Sequence, residues 1–245
     1  MSGVVIHGTW QDELPKLADE SADLIIIDPP YLTTSEEWDK EEAVNTELSR
    51  QLLRIAKPSC SLYVWCGIGE KSQSLIRWFP VFSEYWHFKD LITWKKQRGI
   101  GMRKGWLYTR EEIMWFVKDN KRFIWNKDGQ YGIERRKRDG GKDVIKPSQS
   151  GKYAKSIYKR ITNIWDDISE ETFNIAHAVK HFTPKPQKAI ERIIAAHTKD
   201  GDTVLDCFAG SGTTGVVAKQ LERNYILIES DKEYVDLINE RLNNG

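Results

Sequence analysis

A run of β-branched residues that ends on an acidic, doubly proline-stiffened tetrad constrains this chain more than any other feature. Asp23-Leu24-Ile25-Ile26-Ile27 is too short and too β-branched for a helix, and reads as a strand buried on both faces, as in parallel sheets. It runs straight into Asp28-Pro29-Pro30-Tyr31. A carboxylate, two rigid backbone units and an aromatic ring therefore stand at a strand's carboxyl end, where open α/β sheets bind ligands. The prolines offer no N–H of their own, so acceptors dominate beside a ring. That combination suits a flat group carrying an amino substituent, such as a nucleobase amine.

The remaining pattern repeats this architecture. Strands are expected at Val4-Val5-Ile6, Ser61–Cys66, Phe88–Trp94, Glu112–Val117, Thr203–Asp206 and Tyr225–Ile228. Helices are expected near Leu14–Ala18, at Glu41–Ile55 with Pro58 ending it, at Ser72–Trp78, at Gln187–His197, from Thr213, and at Glu233–Leu242. Strands alternating with helices predict a doubly wound, mostly parallel α/β sheet. Leu32–Lys40 is polar and reads as a mobile loop after the tetrad. No internal repeat is visible.

Charge divides the chain unevenly. From Lys89 to Arg160 there are 21 Lys and Arg against 8 Asp and Glu, a net +13, leaving 16 and 28 elsewhere, a net −12. A basic segment within an acidic protein is the footprint of a polyanion partner. The stretch Lys118–Thr162, which takes in its second half, lacks sustained periodicity and carries Arg135-Arg136-Lys137-Arg138, which would bind phosphates without reading sequence. The chain is 245 residues, 40% hydrophobic and 30% charged, the profile of a soluble globular protein. No apolar run approaches a membrane span, and no leader pattern opens the chain. Cys60, Cys66 and Cys207 form neither an even set nor a CxxC pair, so no disulfide framework and no metal site is expected. A reducing, cytoplasmic setting follows.

A second turn carries chemistry. Phe208-Ala209-Gly210-Ser211-Gly212 joins the strand ending in Asp206 to the next helix, letting a ligand approach the backbone at a helix N-terminus. No Gly-Lys-Ser/Thr follows, so it is not a phosphate loop of the Walker type. Glu229 ends the next strand, placed to accept both hydroxyls of a ribose. Together they imply an adenosine-containing cofactor, with Asp206 orienting the turn.

The tetrad at Asp28–Tyr31 and the turn at Phe208–Gly212 resemble the two hallmark motifs of S-adenosylmethionine-dependent amino-methyltransferases of DNA. Their order, catalytic motif first and cofactor motif last, is similar to the circularly permuted β class. His181-Phe182-Thr183-Pro184-Lys185-Pro186, Ile92–Lys96 and Glu111–Phe116 resemble further segments of that class. Phe182 and Pro184 depart from its Pro and Gln, and Thr9 follows Gly8 where Asp is frequent. The resemblance implies a seven-stranded methyltransferase sheet with an inserted basic target-recognition region. It divides the chain into a catalytic half (1–117), a target-recognition insertion (118–164) and a cofactor-binding half (165–245). It implies adenine-N6 transfer from S-adenosylmethionine to a flipped-out base in double-stranded DNA. Asp28 and the Pro29 carbonyl would accept the amine's two N–H groups, with Pro30 stiffening the turn and Tyr31 stacking on the base.

On the cofactor side, the same resemblance places Asp206, Phe208, Ala209, Gly210, Ser211, Gly212 and Glu229, with Thr183 and Lys185 toward the cofactor carboxylate. Gly8, Thr9 and Trp10 would lie along its adenine. Many relatives are dimers, so analogy adds a homodimer, and a cognate restriction enzyme as partner. The competing readings are cytosine-N4 transfer, usually marked by Ser in place of Asp28, RNA or protein-amide methylation, and a catalytically idle nucleic-acid-binding module.

Overall fold

The long apolar strands of the sequence assemble at the centre of a computed structural model that describes residues 2–33, 42–100, 106–126, 133–134, 158–159, 161–170 and 184–244. In chain order the strands are β1 (Gly3–His7), β2 (Ala22–Ile27), β3 (Ala56–Cys66), β4 (His87–Ile100), β5 (Tyr108–Val117), β6 (Ile133–Glu134), β7 (Tyr158–Lys159), β8 (Ile164–Trp165), β9 (Thr203–Asp206) and β10 (Asn224–Glu229). The helices are α1 (Trp10–Glu13), α2 (Thr46–Ile55), α3 (Ser74–Ser83), α4 (Gln187–His197), α5 (Thr213–Gln220) and α6 (Lys232–Asn244). By contact the chain forms two compact units, Met1–Asn126 with Asn163–Gly245, and Lys127–Thr162. The second contains the short antiparallel pair β6–β7.

The first unit is built on one sheet, ordered β1-β10-β9-β2-β3-β5-β4-β8. Strands β1, β10, β9, β2 and β3 are parallel, and β5 runs antiparallel to both β3 and β4. The sheet thus has eight strands among the described residues, where seven were expected. The added strand, β8, pairs with Thr93 and Trp94 of β4. Two residues are too few to show an alternating pattern.

All six residues of β2 are buried, as expected for a central strand covered on both faces. On one face Ile25, Ile27, Leu62, Val64, Met114 and Phe116 pack with Leu48 and Leu52 of α2 and with Trp78 and Phe82 of α3. On the other, α4 meets β2, α5 meets β9 and β10, and α6 meets β1 and β10.

Several helix boundaries differ from the sequence expectation, each for a local reason. The first helix is α1, ahead of the expected Leu14–Ala18. Thr9 caps it by accepting from the Asp12 N–H at 3.3 Å, and Pro15 turns the next residues into a 3-10 turn, Leu14–Lys16. Helix α2 starts at Thr46 because Asn45 is extended and accepts from the Leu48 N–H at 3.0 Å. It stops at Ile55, before Pro58. That proline lies inside β3, where the pairing with β2 slips between Ala22 and Leu24, a place that tolerates a missing donor. Helix α3 begins at Ser74 and continues through Pro80.

Candidate active site

The chain turns to opposite sides of the sheet after β9 and after β2. From β9 it passes through α5 to β10, and from β2 through α2 to β3, although β9 and β2 are neighbours. This switch point opens a crevice above the strand ends. A cleft of about 490 Å3 lies there, and its wall includes Gly8, Thr9, Trp10, Asp28, Pro29, Pro30, Tyr31, Lys185, Phe208, Gly210 and Glu229. Eleven residues singled out from the sequence therefore meet in one place. Asp206, Ala209 and Ser211 line a small cavity of about 30 Å3 that also touches Asp28, Lys185 and Gly210. Gly212 lines neither. It stands just before α5 at φ +77°, and a Cβ there would stand 2.8 Å from Ile238. Thr183 and Arg135–Arg138 fall outside the described residues, as does most of the loop at Leu32–Lys40.

One end of the cleft is shaped by backbone and acceptors. The Gly8 N–H reaches the Glu229 carbonyl at 2.9 Å, tying the ends of β1 and β10 together. Glu229 accepts from the Gly210 N–H at 2.7 Å and the Asp231 N–H at 2.9 Å, one on each carboxylate oxygen. Burial raises its carboxyl above the usual range. Oε1 also takes the Ser230 hydroxyl at 3.4 Å, so Oε2 is the oxygen that keeps a lone pair for a further donor. Asp206 steers the turn: it accepts from the Phe208 N–H at 3.0 Å and the Thr214 hydroxyl at 2.6 Å. Burial pushes its carboxyl up to about 7. Thr9 spends its hydroxyl on Asp12 and the cap of α1. The buried indole N–H of Trp10 has no acceptor among the described residues.

The other end is a charge cluster. The Tyr31 hydroxyl donates to Asp28 Oδ1 at 2.8 Å, and Lys185 Nζ stands 3.1 Å from Asp28 Oδ2. Lys185 also reaches Glu111 Oε2 at 2.9 Å, and Lys96 pairs with the other oxygen of Glu111. The ammonium lies over the rings of Tyr31 and Trp65, 5.3 and 5.0 Å from their centroids. Burial raises the Asp28 carboxyl, opposed by Lys185. Burial alone would lower Lys185, but the two carboxylates outweigh it and hold the ammonium above its ordinary range. In Glu111 burial is outweighed in turn by Lys185 and Lys96, and its carboxyl is lowered.

Glu111 and Lys96 were not among the site residues read from the sequence. A signal was present: two adjacent carboxylates in a strand of aromatic and aliphatic residues place one on each face, and a carboxylate buried there requires a partner. The partner, Lys185, lies 74 residues away. Gln11, Glu42, Cys207, Asp231 and Tyr234 also line the cleft, as do Lys96 and Glu111.

Acceptors at Glu229 and Asp231, a glycine turn open to close approach, and rings at Trp10, Phe208 and Tyr234 fit a cofactor of nucleoside type. Fold and site together define a doubly wound α/β enzyme with a nucleoside-type cleft at its switch point and a largely buried carboxylate, Asp28, in its wall. The family model described as DNA methylase, that of the N6_N4 methyltransferases, matches residues 22–240. The chain belongs to this family of S-adenosylmethionine-dependent DNA amino-methyltransferases.

Relatives agree. Type II methyltransferase M.HpaI of Haemophilus parainfluenzae is 32% identical over 241 residues, spanning 94% of this chain and 70% of its own length. Type II methyltransferase M1.MboII of Moraxella bovis is 31% identical over 255 residues, spanning 95% and 93%. DNA adenine methyltransferase YhdJ of Escherichia coli is 30% identical over 247 residues, spanning 95% and 80%. In fold, the chain resembles the M1.HpyAVI–SAM complex with a TM-score of 0.64 at 23% identity, covering 99% of this chain and 100% of that one. It resembles the cytosine-N4-specific PvuII DNA methyltransferase with a TM-score of 0.70 at 19% identity, covering 98% and 86%. No helix among the described residues is long and apolar enough to cross a membrane.

Proposed function

We propose that this methyltransferase acts on the exocyclic N6 amine of adenine in double-stranded DNA, on a base turned out of the duplex. The observation that carries the reading is Asp28, at the end of β2, sharing one cleft with Tyr31, Gly210 and Glu229. An adenine amine is a poor nucleophile because its lone pair is delocalised into the ring. Asp28 and the Pro29 carbonyl accept its two N–H groups and draw the nitrogen toward sp³ character. Pro30 keeps this turn stiff. Tyr31 offers its ring to the flipped base, and chemistry on a stacked base is sterically blocked without such flipping.

S-adenosylmethionine, when bound, supplies a methyl group activated by its sulfonium. Glu229 would accept from the ribose, Phe208 and the Gly210 turn would border its sugar and methionine, and Trp10 would flank the adenine. The rate comes largely from holding amine and methyl in line, and no covalent enzyme intermediate is needed.

Cytosine-N4 transfer would use the same acceptor pair, and Asp rather than Ser at position 28 favours adenine. The insertion around Arg135–Arg138 supplies phosphate contacts and target recognition in this reading. The Type II names of the relatives support a partner restriction enzyme, and dimerisation and a cytoplasmic setting complete the proposal. Incubation with methyl-labelled cofactor and DNA or RNA, followed by nucleoside analysis, tests it. N6-methyladenine from DNA is expected, and N4-methylcytosine would replace the adenine assignment. Asp28→Ala is expected to abolish transfer while cofactor binding largely persists. Undiminished turnover in that variant would refute the role of Asp28.

A further inference from the structure

Four charged side chains from four parts of the fold meet beside the amine-facing carboxylate. Asp28 ends β2, Lys185 precedes α4, Glu111 stands on β5 and Lys96 on β4. Their side chains keep only 20%, 14%, 15% and 17% of their exposure, and two rings cover the central ammonium. In such a setting charges act on one another with little screening.

The geometry is a division of one cation between two carboxylates. Lys185 reaches Asp28 at 3.1 Å and Glu111 at 2.9 Å, while Lys96 neutralises the far side of Glu111. An Asp28 that owned Lys185 alone would be held firmly ionised and would bind a proton poorly. We propose that Glu111 is a positioning residue that draws Lys185 partly off Asp28, leaving that carboxylate basic enough to take the proton which the amine sheds on methylation. The proposal rests on the reading of Asp28 as the amine's acceptor.

The step balances. The nitrogen lone pair forms the new N–C bond as the C–S bond of the donor breaks with its electrons left on sulfur. The positive charge moves to nitrogen, and one N–H proton passes to an Asp28 oxygen, giving a neutral carboxylic acid and a neutral methylamine. Oδ1 is the oxygen that can serve, once the Tyr31 hydroxyl lets go of it; Oδ2 stays with Lys185.

The groups facing Asp28 are the Tyr31 hydroxyl on its own loop, Lys185 before α4, Glu111 on β5 with Lys96 behind it, and Asp206 at the end of β9. Cys66 at the end of β3 faces the same cluster, and burial keeps its thiol protonated. Burial lifts the Asp28 carboxyl, Lys185 lowers it and Glu111 lifts it again. Removing Glu111's charge and removing Lys185's charge must therefore move Asp28 in opposite directions.

The test is a carboxyl-carbon NMR titration of Asp28 in the full chain, assigned with Asp28→Asn, beside pH profiles of kcat and KM. Glu111→Gln is expected to shift the Asp28 midpoint and the acid limb of kcat to lower pH, with a severalfold lower kcat plateau and little change in KM for DNA. Lys185→Met is expected to shift both to higher pH, and Lys185→Arg to restore them. Lys96→Met frees Glu111 to compete harder for Lys185, so it too is expected to shift the midpoint upward; it reads the same coupling if Glu111→Gln fails to fold. A midpoint that stays put or rises in Glu111→Gln, or stays put in Lys96→Met, overturns the proposal. Transfer retained by Asp28→Asn instead overturns the reading of Asp28 beneath it, an outcome separate from the titration.

Discussion

Tyr31 has two sets of partners, and the balance between them decides how the site is used. Its hydroxyl donates to Asp28 Oδ1 at 2.8 Å, while its ring meets Trp78 edge-on, with centroids 5.7 Å apart. In the proposed reaction the hydroxyl gives way to the substrate amine and the ring serves the base. These roles separate by substitution. Tyr31→Phe keeps the ring and is expected to retain most turnover, whereas Tyr31→Ala loses the stacking surface. Base–aromatic stacking contributes about 1–3 kcal/mol, so weakening of DNA binding by roughly 5- to 150-fold is expected for the alanine variant. Equal loss in both, measured by KM for DNA and by single-turnover rates, would assign the effect to the hydroxyl instead. Tyr31 was legible from sequence because it closes a four-residue motif. Glu111 was not, since its role arises only when β5 is laid beside β3 and brought opposite the residues that precede α4.

Among the elements, strands were the most readable. A strand buried on both faces must be apolar almost throughout, so β2, the second half of β3 and β9 announce themselves. Helix ends were read less well, because single side chains such as Thr9 and Asn45 set them. The end of α4 shows a further device that periodicity cannot reveal. His197 reads as one more residue on the helix, yet its imidazole is buried among Tyr63, Trp115 and Trp125. Nδ1 lies 2.7 Å from the Ile124 carbonyl and Nε2 lies 2.6 Å from the Tyr63 hydroxyl, which suits a neutral ring donating to the one and accepting from the other. The ring pins α4 to β3 and to the chain that follows β5. Burial pushes its pKa down from 6.5 to about 4. As pH falls below 6.5 the unfolded chain takes up a proton that the folded chain refuses, so this contribution to stability is full above that pH and declines toward pH 4. The loss is on the order of 3 kcal/mol. His197→Gln cannot titrate there, and its melting temperature is expected to fall less than that of the native chain between about pH 7.5 and about pH 5.5. Parallel declines in calorimetry would remove His197 from the acid response.

At the scale of the whole molecule, net charge +1 conceals a basic segment of +13 in a remainder of −12. The acidic part carries the parallel strands and most of the ligand cleft, whereas the basic segment takes in β5 and most of β4 and continues into a stretch that offers what a phosphate backbone binds. Charge content was legible at once, since it needs no fold. The residues that would read bases were not, because Lys118–Thr162 has no periodicity to orient its side chains. The proposed division of labour makes a quantitative claim about Arg135, Arg136, Lys137 and Arg138. If all four neutralise DNA phosphates, replacing them with alanine removes the release of about four counterions. The slope of log K against log salt is then expected to become shallower by roughly 3 to 4. Affinity at low salt should drop with it, while binding of S-adenosylmethionine, followed by calorimetry, should be unchanged. Sequence preference among surviving methylation sites should also hold, since phosphate contacts position the duplex without reading it. An unaltered salt slope in the fourfold variant would place the DNA-binding charge elsewhere in the basic segment.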